Sequence, residues 1–173
     1  AARSVDGTVK YLYRVDNNHF VEAVYIPDGE RATLCVSSQV GCKMGCKFCM
    51  TGRQGFHGHL SVAQIISQFL EIDESASLTN AVFMGMGEPL DNYSSVMKTI
   101  EILTSDWGFG WSPKRITLST IGVLPTLKNY LDDCKCHLAV SLHDPFADER
   151  LSLMPMQKPF PIEETVKLIK QYD

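Results

Sequence analysis

The sequence predicts an α/β fold, specifically a partial parallel (β/α) barrel preceded by an N-terminal β-hairpin. Three observations support this. Two runs near the N-terminus alternate apolar with polar residues, strand-like and helix-like segments then alternate along the chain, and the later strands are apolar on one side only. Strands alternating with helices form parallel sheets with right-handed crossovers. Strands with one small or polar side favour an incomplete barrel over a sheet covered by helices on both faces.

The hairpin is assigned to residues 1–30. Its two alternating runs are residues 8–15 and 19–26, and Asp16-Asn17-Asn18 lies between them. This pattern is typical of two antiparallel strands joined by a turn. Pro27-Asp28-Gly29 is predicted to break the second strand.

The core is assigned to residues 31–173, and we expect it to be incomplete at its C-terminal end. Each of its four predicted strands is followed by a helix. The strands are residues 32–37, 81–84, 116–120 and 138–142; the helices are residues 62–70, 94–103, 125–131, 148–153 and 162–172. Ser61 is a suitable N-cap for the first helix, whose apolar residues recur at helical spacing.

The faces of these strands predict which side chains point into the barrel. Ile116 and Leu118 share one side of their strand, whereas Thr117 and Ser119 share the other. The same alternation in the first and fourth strands adds further small or polar residues to the interior. These are Thr33, Cys35, Ser37, His137, Ala139, Ser141 and His143.

Composition limits the classes of function. A formal net charge of −4 and a pI near 5.7 give no chain-wide basic surface, so any contact with RNA must be local. No apolar run approaches the roughly 18 residues of a membrane span, and no signal sequence is visible. We therefore expect a cytoplasmic protein without membrane contact. Because the chain opens with Ala1-Ala2 and stops within a predicted helix, it is expected to be a fragment of a longer protein.

Cys42, Cys46 and Cys49 form a CxxxCxxC triplet. Three thiolates on a short loop can hold three irons of a 4Fe–4S cubane cluster and leave the fourth iron open to a small chelating ligand. The alternative is structural zinc, with Cys35 as the fourth thiolate. The aromatic Phe48 and the position of the loop, after the first core strand, favour the cluster.

The segment from Cys42 to Cys49 is similar to the cluster loop of radical S-adenosylmethionine (SAM) enzymes. Met86-Gly87-Glu88-Pro89, after the second core strand, resembles the glycine–glutamate motif that receives the amino group of SAM in that family. By turn chemistry alone, the same four residues read as a simple turn. The resemblance implies a 4Fe–4S cluster and SAM as cofactors, and a barrel of the radical SAM type.

Longer segments resemble the radical SAM adenine-C2 methyltransferases that modify 23S rRNA and tRNA. These segments are residues 31–42, 51–56, 84–90, 117–122 and 141–143. The resemblance implies that several residues contact SAM, namely Gly87, Glu88, Ser119, Ser141, Leu142 and His143. Without the resemblance, the serines and the histidine would be ordinary barrel-lining residues.

The resemblance also implies two catalytic residues. Glu22 lies where the family carries a glutamate proposed to move a proton at the adenine, although a lone strand glutamate is otherwise a solvated residue. Cys35 matches the cysteine that resolves a protein–RNA crosslink by disulfide formation; a structural thiol is the alternative. Cys134 and Cys136 match no motif and are interpreted as structural or exposed thiols.

The implied reaction is methylation of C2 of an adenine in 23S rRNA and tRNA, with an electron donor such as flavodoxin. The sequence does not contain the family's methyl-carrying cysteine, so we expect the 173 residues alone to bind cofactors without transferring methyl groups. Basic and histidine side chains near the cluster loop are candidates for phosphate contacts: Lys43, Lys47, Arg53, His57 and His59. The alternative functions are a radical SAM enzyme with another substrate, such as C8 methylation or a different redox activity, and a zinc-stabilised binding module.

Overall fold

The computed structural model of the protein describes residues 1–172. Its strands are β1 (Ala2–Arg3), β2 (Val9–Arg14), β3 (Phe20–Asp28), β4 (Arg31–Cys35), β5 (Gln39–Gly41), β6 (Phe56–His59), β7 (Asn80–Phe83), β8 (Ile116–Thr120) and β9 (His137–Val140). Its α-helices are α1 (Met50–Arg53), α2 (Val62–Leu70), α3 (Tyr93–Thr104), α4 (Leu124–Asp133), α5 (Ala147–Leu153) and α6 (Ile162–Ile169). No helix in this part of the chain is long and apolar enough to cross a membrane.

One seven-stranded sheet organises the molecule, in the order β1-β2-β3-β4-β7-β8-β9. The last four of these strands are parallel neighbours, and helices connect them. The mixed α/β class and the four parallel strands predicted from the sequence are therefore confirmed. The N-terminal hairpin pairs antiparallel with β4, so it extends the same sheet.

The core lies on the apolar side of the parallel strands. Leu34, Ala81 and Ile116 stand next to one another across the sheet and are fully buried. Phe69 of α2 and Leu103 of α3 belong to the same buried cluster. The opposite side carries the small and polar residues that the alternation predicted for the interior.

Several boundaries differ from those expected. β3 continues through Pro27 rather than breaking there, because its pairing with β2 stops at Tyr25 and the missing proline N–H costs no hydrogen bond to that strand. β4 and β9 each end two residues early, which leaves Ser37 and Ser141 on loops just beyond the sheet. Helix α6 ends at Ile169, before the predicted limit.

The small sheet formed by β5 and β6 was not predicted. Its strands are three and four residues long, and the second, with the sequence Phe-His-Gly-His, lacks an apolar alternation. They pair Gln39 with His59 and Gly41 with Phe56. This pairing closes the base of the loop that carries the cysteine triplet.

Helix α2 begins with a capping box, which provides a test of local stability. The Ser61 hydroxyl accepts a hydrogen bond from the Gln64 N–H at 3.3 Å, and the Gln64 side chain accepts one from the Ser61 N–H at 2.8 Å. We expect Ser61→Ala to lower the free energy of unfolding by about 1 kcal/mol in urea denaturation. Ser94→Ala, at an exposed position in the first turn of α3, is the control; equal losses would contradict a capping role.

Candidate functional site

A cavity of about 230 Å³ opens beyond the carboxyl ends of the parallel strands. Ligand sites of barrels and open α/β sheets lie at this end, because the loops after successive strands meet there. Eight of the residues singled out in the sequence line the cavity: Cys42, Cys46, Cys49, Gly87, Glu88, Ser119, Ser141 and His143. They come from the loops or ends of all four parallel strands.

The cysteine loop is fixed at several points along its backbone. Cys42 N–H donates to the Gly55 carbonyl at 2.9 Å, and Lys47 N–H donates to the Leu153 carbonyl of α5 at 2.9 Å. The Arg53 guanidinium donates to the Lys47 carbonyl at 3.0 and 3.2 Å. These contacts hold the loop at the cavity, which all three cysteines line.

The thiols are partly buried, and this affects their protonation. Burial raises the pKa of Cys42 to about 11 and also raises the pKa of Cys46. Metal coordination requires the thiolate. A bound cation must therefore supply the energy that deprotonates these groups, and ligation is expected to release protons.

Glu88 is the buried carboxylate of the site, with 3% of its surface exposed. One carboxylate oxygen accepts from Leu90 N–H at 3.1 Å and the other from Ile121 N–H at 3.0 Å. Burial nevertheless raises the pKa of Glu88 to about 7. A cationic group bound in the cavity would favour the ionised carboxylate, so the site suits a ligand that carries an ammonium.

Gln39 is a functional candidate that the sequence analysis missed. Its side-chain oxygen accepts from Glu88 N–H at 2.8 Å, and its amide nitrogen donates to the Asp91 carboxylate at 2.7 Å. The side chain is fully buried against Gly87. It thus fixes the loop that carries the buried carboxylate. Its role depends on a residue 49 positions away, which no local pattern indicates.

Ser119, Ser141 and His143 complete the cavity wall from the ends of β8 and β9. Ser141 N–H donates to the Thr120 carbonyl at 2.8 Å. The His143 ring lies 4.5 Å from the Phe48 ring, centroid to centroid. His143 has a left-handed backbone, with φ at 56°, an uncommon conformation for a residue other than glycine. The end of β9 is thereby brought against the cysteine loop.

Arg150 of α5 is a second residue that the sequence analysis missed. It is fully buried, and its guanidinium donates to the carbonyls of Ile121 at 3.0 Å, Ser141 at 3.2 Å and Leu142 at 3.1 Å. A further hydrogen bond joins it to the Gln157 side chain. Arg150 therefore ties together the segments that follow β8 and β9. From the sequence alone, an arginine in an amphipathic helix is expected to be exposed to solvent. No sequence pattern therefore indicated that Arg150 is buried and joins these segments.

Three residues singled out in the sequence lie outside the cavity lining. The Glu22 carboxylate is partly exposed and pairs with Lys10 at 3.0 Å. Cys35 is half-buried beside the backbone N–H of Met84, and burial raises its pKa. The Leu142 side chain is exposed, while its backbone carbonyl binds Arg150.

Most of the basic and histidine side chains near the loop have partners within the protein; Lys47 is the exception among those named. Lys43 forms an ion pair with Asp91 at 2.8 Å and lies over the Phe56 ring. His57 contacts the Gln54 carbonyl at 3.0 Å, and His59 contacts the Gln39 amide at 3.1 Å. Lys47 is exposed on the loop itself.

Comparison with known families decides the broad assignment. The model of the radical SAM superfamily matches residues 36–173. The chain belongs to the radical SAM superfamily. A solved structure titled as a radical SAM methyltransferase from Sphaerobacter thermophilus superposes with a TM-score of 0.93 at 37% identity, covering 99% of this chain and 52% of that one.

Curated relatives support the finer resemblance seen in the sequence. Proteins named probable dual-specificity RNA methyltransferase RlmN from Bacteroides fragilis and Parabacteroides distasonis are each 61% identical over 99% of this chain. The dual-specificity RNA methyltransferase RlmN of Syntrophobacter fumaroxidans is 45% identical over 96%. The chain spans about half the length of these relatives.

The donor set fits the cluster that radical SAM enzymes use. Among residues 1–172, no three His, Cys, Asp or Glu side chains converge on a position for a single metal ion. A cubane cluster does not require such convergence, because each cysteine binds a different iron. Cys35, which a closed zinc site would require as its fourth thiolate, is not among the residues that line the cavity. Three cysteines of one loop that line one cavity fit a 4Fe–4S cluster of the kind that radical SAM enzymes carry.

Gly87 offers a test of how tightly this radical SAM site is packed. Its φ is +100°, and an added Cβ would lie 2.5 Å from the Gln39 Cβ. We expect Gly87→Ala to lower the free energy of unfolding by about 1–3 kcal/mol, measured in urea, and to weaken SAM binding measured by calorimetry. Gly29→Ala is the matched control, since its φ is also positive, at +58°, but nothing lies within 4 Å of the added carbon. Similar losses in both variants would show that backbone strain alone explains the effect.

Proposed function

We propose that this chain is the part of a radical SAM RNA methyltransferase that binds the 4Fe–4S cluster and SAM. The whole protein is proposed to methylate C2 of an adenine in 23S rRNA and tRNA. The observation that carries this proposal is the single cavity lined by all three loop cysteines and by the buried Glu88. The identity to proteins named RlmN supports RNA as the substrate class.

The cavity residues divide into two groups under this proposal. Cys42, Cys46 and Cys49 hold the cluster, which supplies the electron for reductive cleavage of SAM. Glu88 and the backbone at Gly87 receive the ammonium of the SAM methionine moiety. A carboxyl group with a pKa of about 7 changes protonation near neutral pH, so the arriving ammonium selects its charged form.

The remaining wall residues contact the rest of SAM. Ser119 and Ser141 offer hydroxyl groups, and His143 offers a ring already stacked on Phe48. Leu142 lies outside the cavity lining, and its proposed SAM contact rests on the family resemblance; its carbonyl, held by Arg150, fixes the backbone between Ser141 and His143. These groups orient SAM and do not change covalently.

Cys35 and Glu22 are proposed to act on the RNA adduct. Cys35 forms a disulfide with the methyl-carrying cysteine and so releases the methylated adenine. The Met84 N–H beside its thiol favours the thiolate that this attack requires, while burial opposes it. Glu22 moves a proton at the adenine, for which its carboxylate must separate from Lys10.

RNA and an electron donor such as flavodoxin are the proposed partners. The net charge of −4 gives no uniformly basic surface, so RNA contacts must be local, and we place them around the cavity. Lys47 is exposed on the cysteine loop, and Lys43 and Arg53 flank it. A phosphate could replace Asp91 as the partner of Lys43.

The first test uses the isolated chain. After anaerobic reconstitution, we expect bound iron and sulfide, a brown colour, and SAM binding, without methyl transfer to rRNA. Robust methylation by these 173 residues would contradict the proposal that they bind the cofactors without transferring methyl groups. Stoichiometric zinc in place of iron in anaerobically expressed protein would instead favour a zinc-stabilised binding module.

The second test concerns the reaction of the whole protein. The gene is deleted and restored, and nucleosides from rRNA and tRNA are compared by mass spectrometry. We expect 2-methyladenosine to disappear on deletion and return on restoration. A change confined to 8-methyladenosine would assign the protein to C8 methylation, and no change in either would remove RNA methylation as its function.

A further inference from the structure

A second group of cysteines lies away from the proposed cluster site. Cys134 follows α4 directly, and Cys136 precedes β9. Both line a cavity of about 540 Å³ between α3 and this junction. The cavity lies where β8 and β9 begin, at the opposite end of the parallel strands from the cluster cavity. It is therefore a separate site.

The backbone brings the two thiols together. Cys134 is extended, with φ −113° and ψ 135°, so the side chains of residues 134 and 136 point to the same face. The chain bends at Cys136, just before β9 begins. Both cysteines line the same cavity, and their thiols are close enough for each to affect the protonation of the other. Both cysteines remain partly exposed to solvent.

The two sulfurs differ in reactivity. Interaction between the two thiols lowers the pKa of Cys134 and raises the pKa of Cys136. The thiolate is the form that attacks a disulfide. Cys134 is thus suited to be the attacking sulfur, and Cys136 lies next to it as the resolving thiol.

We propose that Cys134 and Cys136 form a redox-active dithiol that small-molecule disulfides oxidise to an intrachain disulfide. The Cys134 thiolate attacks one sulfur of the disulfide, breaks its S–S bond and releases one thiolate. Cys136 then loses its proton and displaces the second thiolate from the mixed disulfide. The protein dithiol is oxidised by two electrons, and the small disulfide is reduced to two thiols.

The lining of the cavity indicates which small disulfides it admits. Lys98 and Glu101 line it as an ion pair at 2.8 Å, and Lys135 and Asp133 add one charge of each sign. Ser94 and Thr104 add hydroxyl groups. Charges of both signs beside hydroxyls suit a zwitterionic, peptide-like molecule, so glutathione disulfide is the appropriate probe.

The test uses the anaerobically purified protein incubated with glutathione disulfide, then alkylated with N-ethylmaleimide and digested for mass spectrometry. We expect the peptide with residues 134 and 136 to lose both alkylation sites and two hydrogens. Cys35, a single half-buried cysteine with a raised pKa, is the internal control and should remain alkylated.

Two single variants test the order of the steps. Cys136→Ser should trap one glutathione on Cys134, whereas Cys134→Ser should react at Cys136 at least about tenfold more slowly at pH 7. Equal rates in the two variants would overturn the assigned roles. Separate glutathione adducts on both cysteines of the unaltered protein, or no reaction at either, would overturn the dithiol proposal.

Discussion

Cys46→Ser is expected to reduce bound iron and sulfide at least about tenfold, because the cluster would retain two thiolate ligands instead of three. The Cys46 sulfur lies in the same cavity as those of Cys42 and Cys49, and no other cysteine among the described residues lines it. A serine hydroxyl has the same geometry as the thiol but is smaller and is rarely ionised. Iron and sulfide assays with visible absorbance after anaerobic reconstitution measure the effect.

The matched control is Cys134→Ser, which changes the same chemical group in the other cavity. Its iron content should equal that of the unaltered protein. Full iron content in Cys46→Ser would remove this residue from the ligand set. Loss of iron in both variants would indicate that general destabilisation explains the result.

Arg150→Met is expected to lower the free energy of unfolding by about 3–5 kcal/mol. The substitution leaves the carbonyls of Ile121, Ser141 and Leu142 without their shared donor in a fully buried position. Buried polar groups that lose their partners retain the cost of desolvation. Urea denaturation monitored by circular dichroism measures the change.

The control for this variant is Arg115→Met, since Arg115 is exposed just before β8. It should change stability by less than about 0.5 kcal/mol. Arg150→Lys should fall between the two, because a lysine ammonium cannot span all the carbonyls that the guanidinium reaches. A loss below about 1 kcal/mol for Arg150→Met would show that water replaces the guanidinium.

The regular elements were predictable where the hydrophobic period was clear. The strand Ile116–Thr120 was predicted with the bounds that β8 has, because apolar and polar residues alternate through it without interruption. The Ser61 cap of α2 was also predictable, because the residues that form it lie within four positions of one another. Strands β5 and β6 show no such alternation in the sequence and are recognised only by their pairing with each other.

Residues of the candidate site were likewise predictable only where the pattern that indicates them is local in sequence. The cysteine triplet is visible because its chemistry is local, whereas Gln39 and Arg150 act on residues 49 and 29 positions away. The termination predicted at Pro27 failed because a strand can accept proline where its N–H side has no partner. The catalytic roles of Glu22 and Cys35 remain predictions.

The hydrogen bond from Lys47 to Leu153 has a consequence for biosynthesis. The segment with the cysteine triplet leaves the ribosome early, but its backbone partner is 106 residues further along the chain. Contacts this distant in sequence form late, after the intervening strands and helices have docked. The loop therefore lacks this contact until α5 has been made, and metal delivered earlier would meet a loop held only by contacts that are local in sequence.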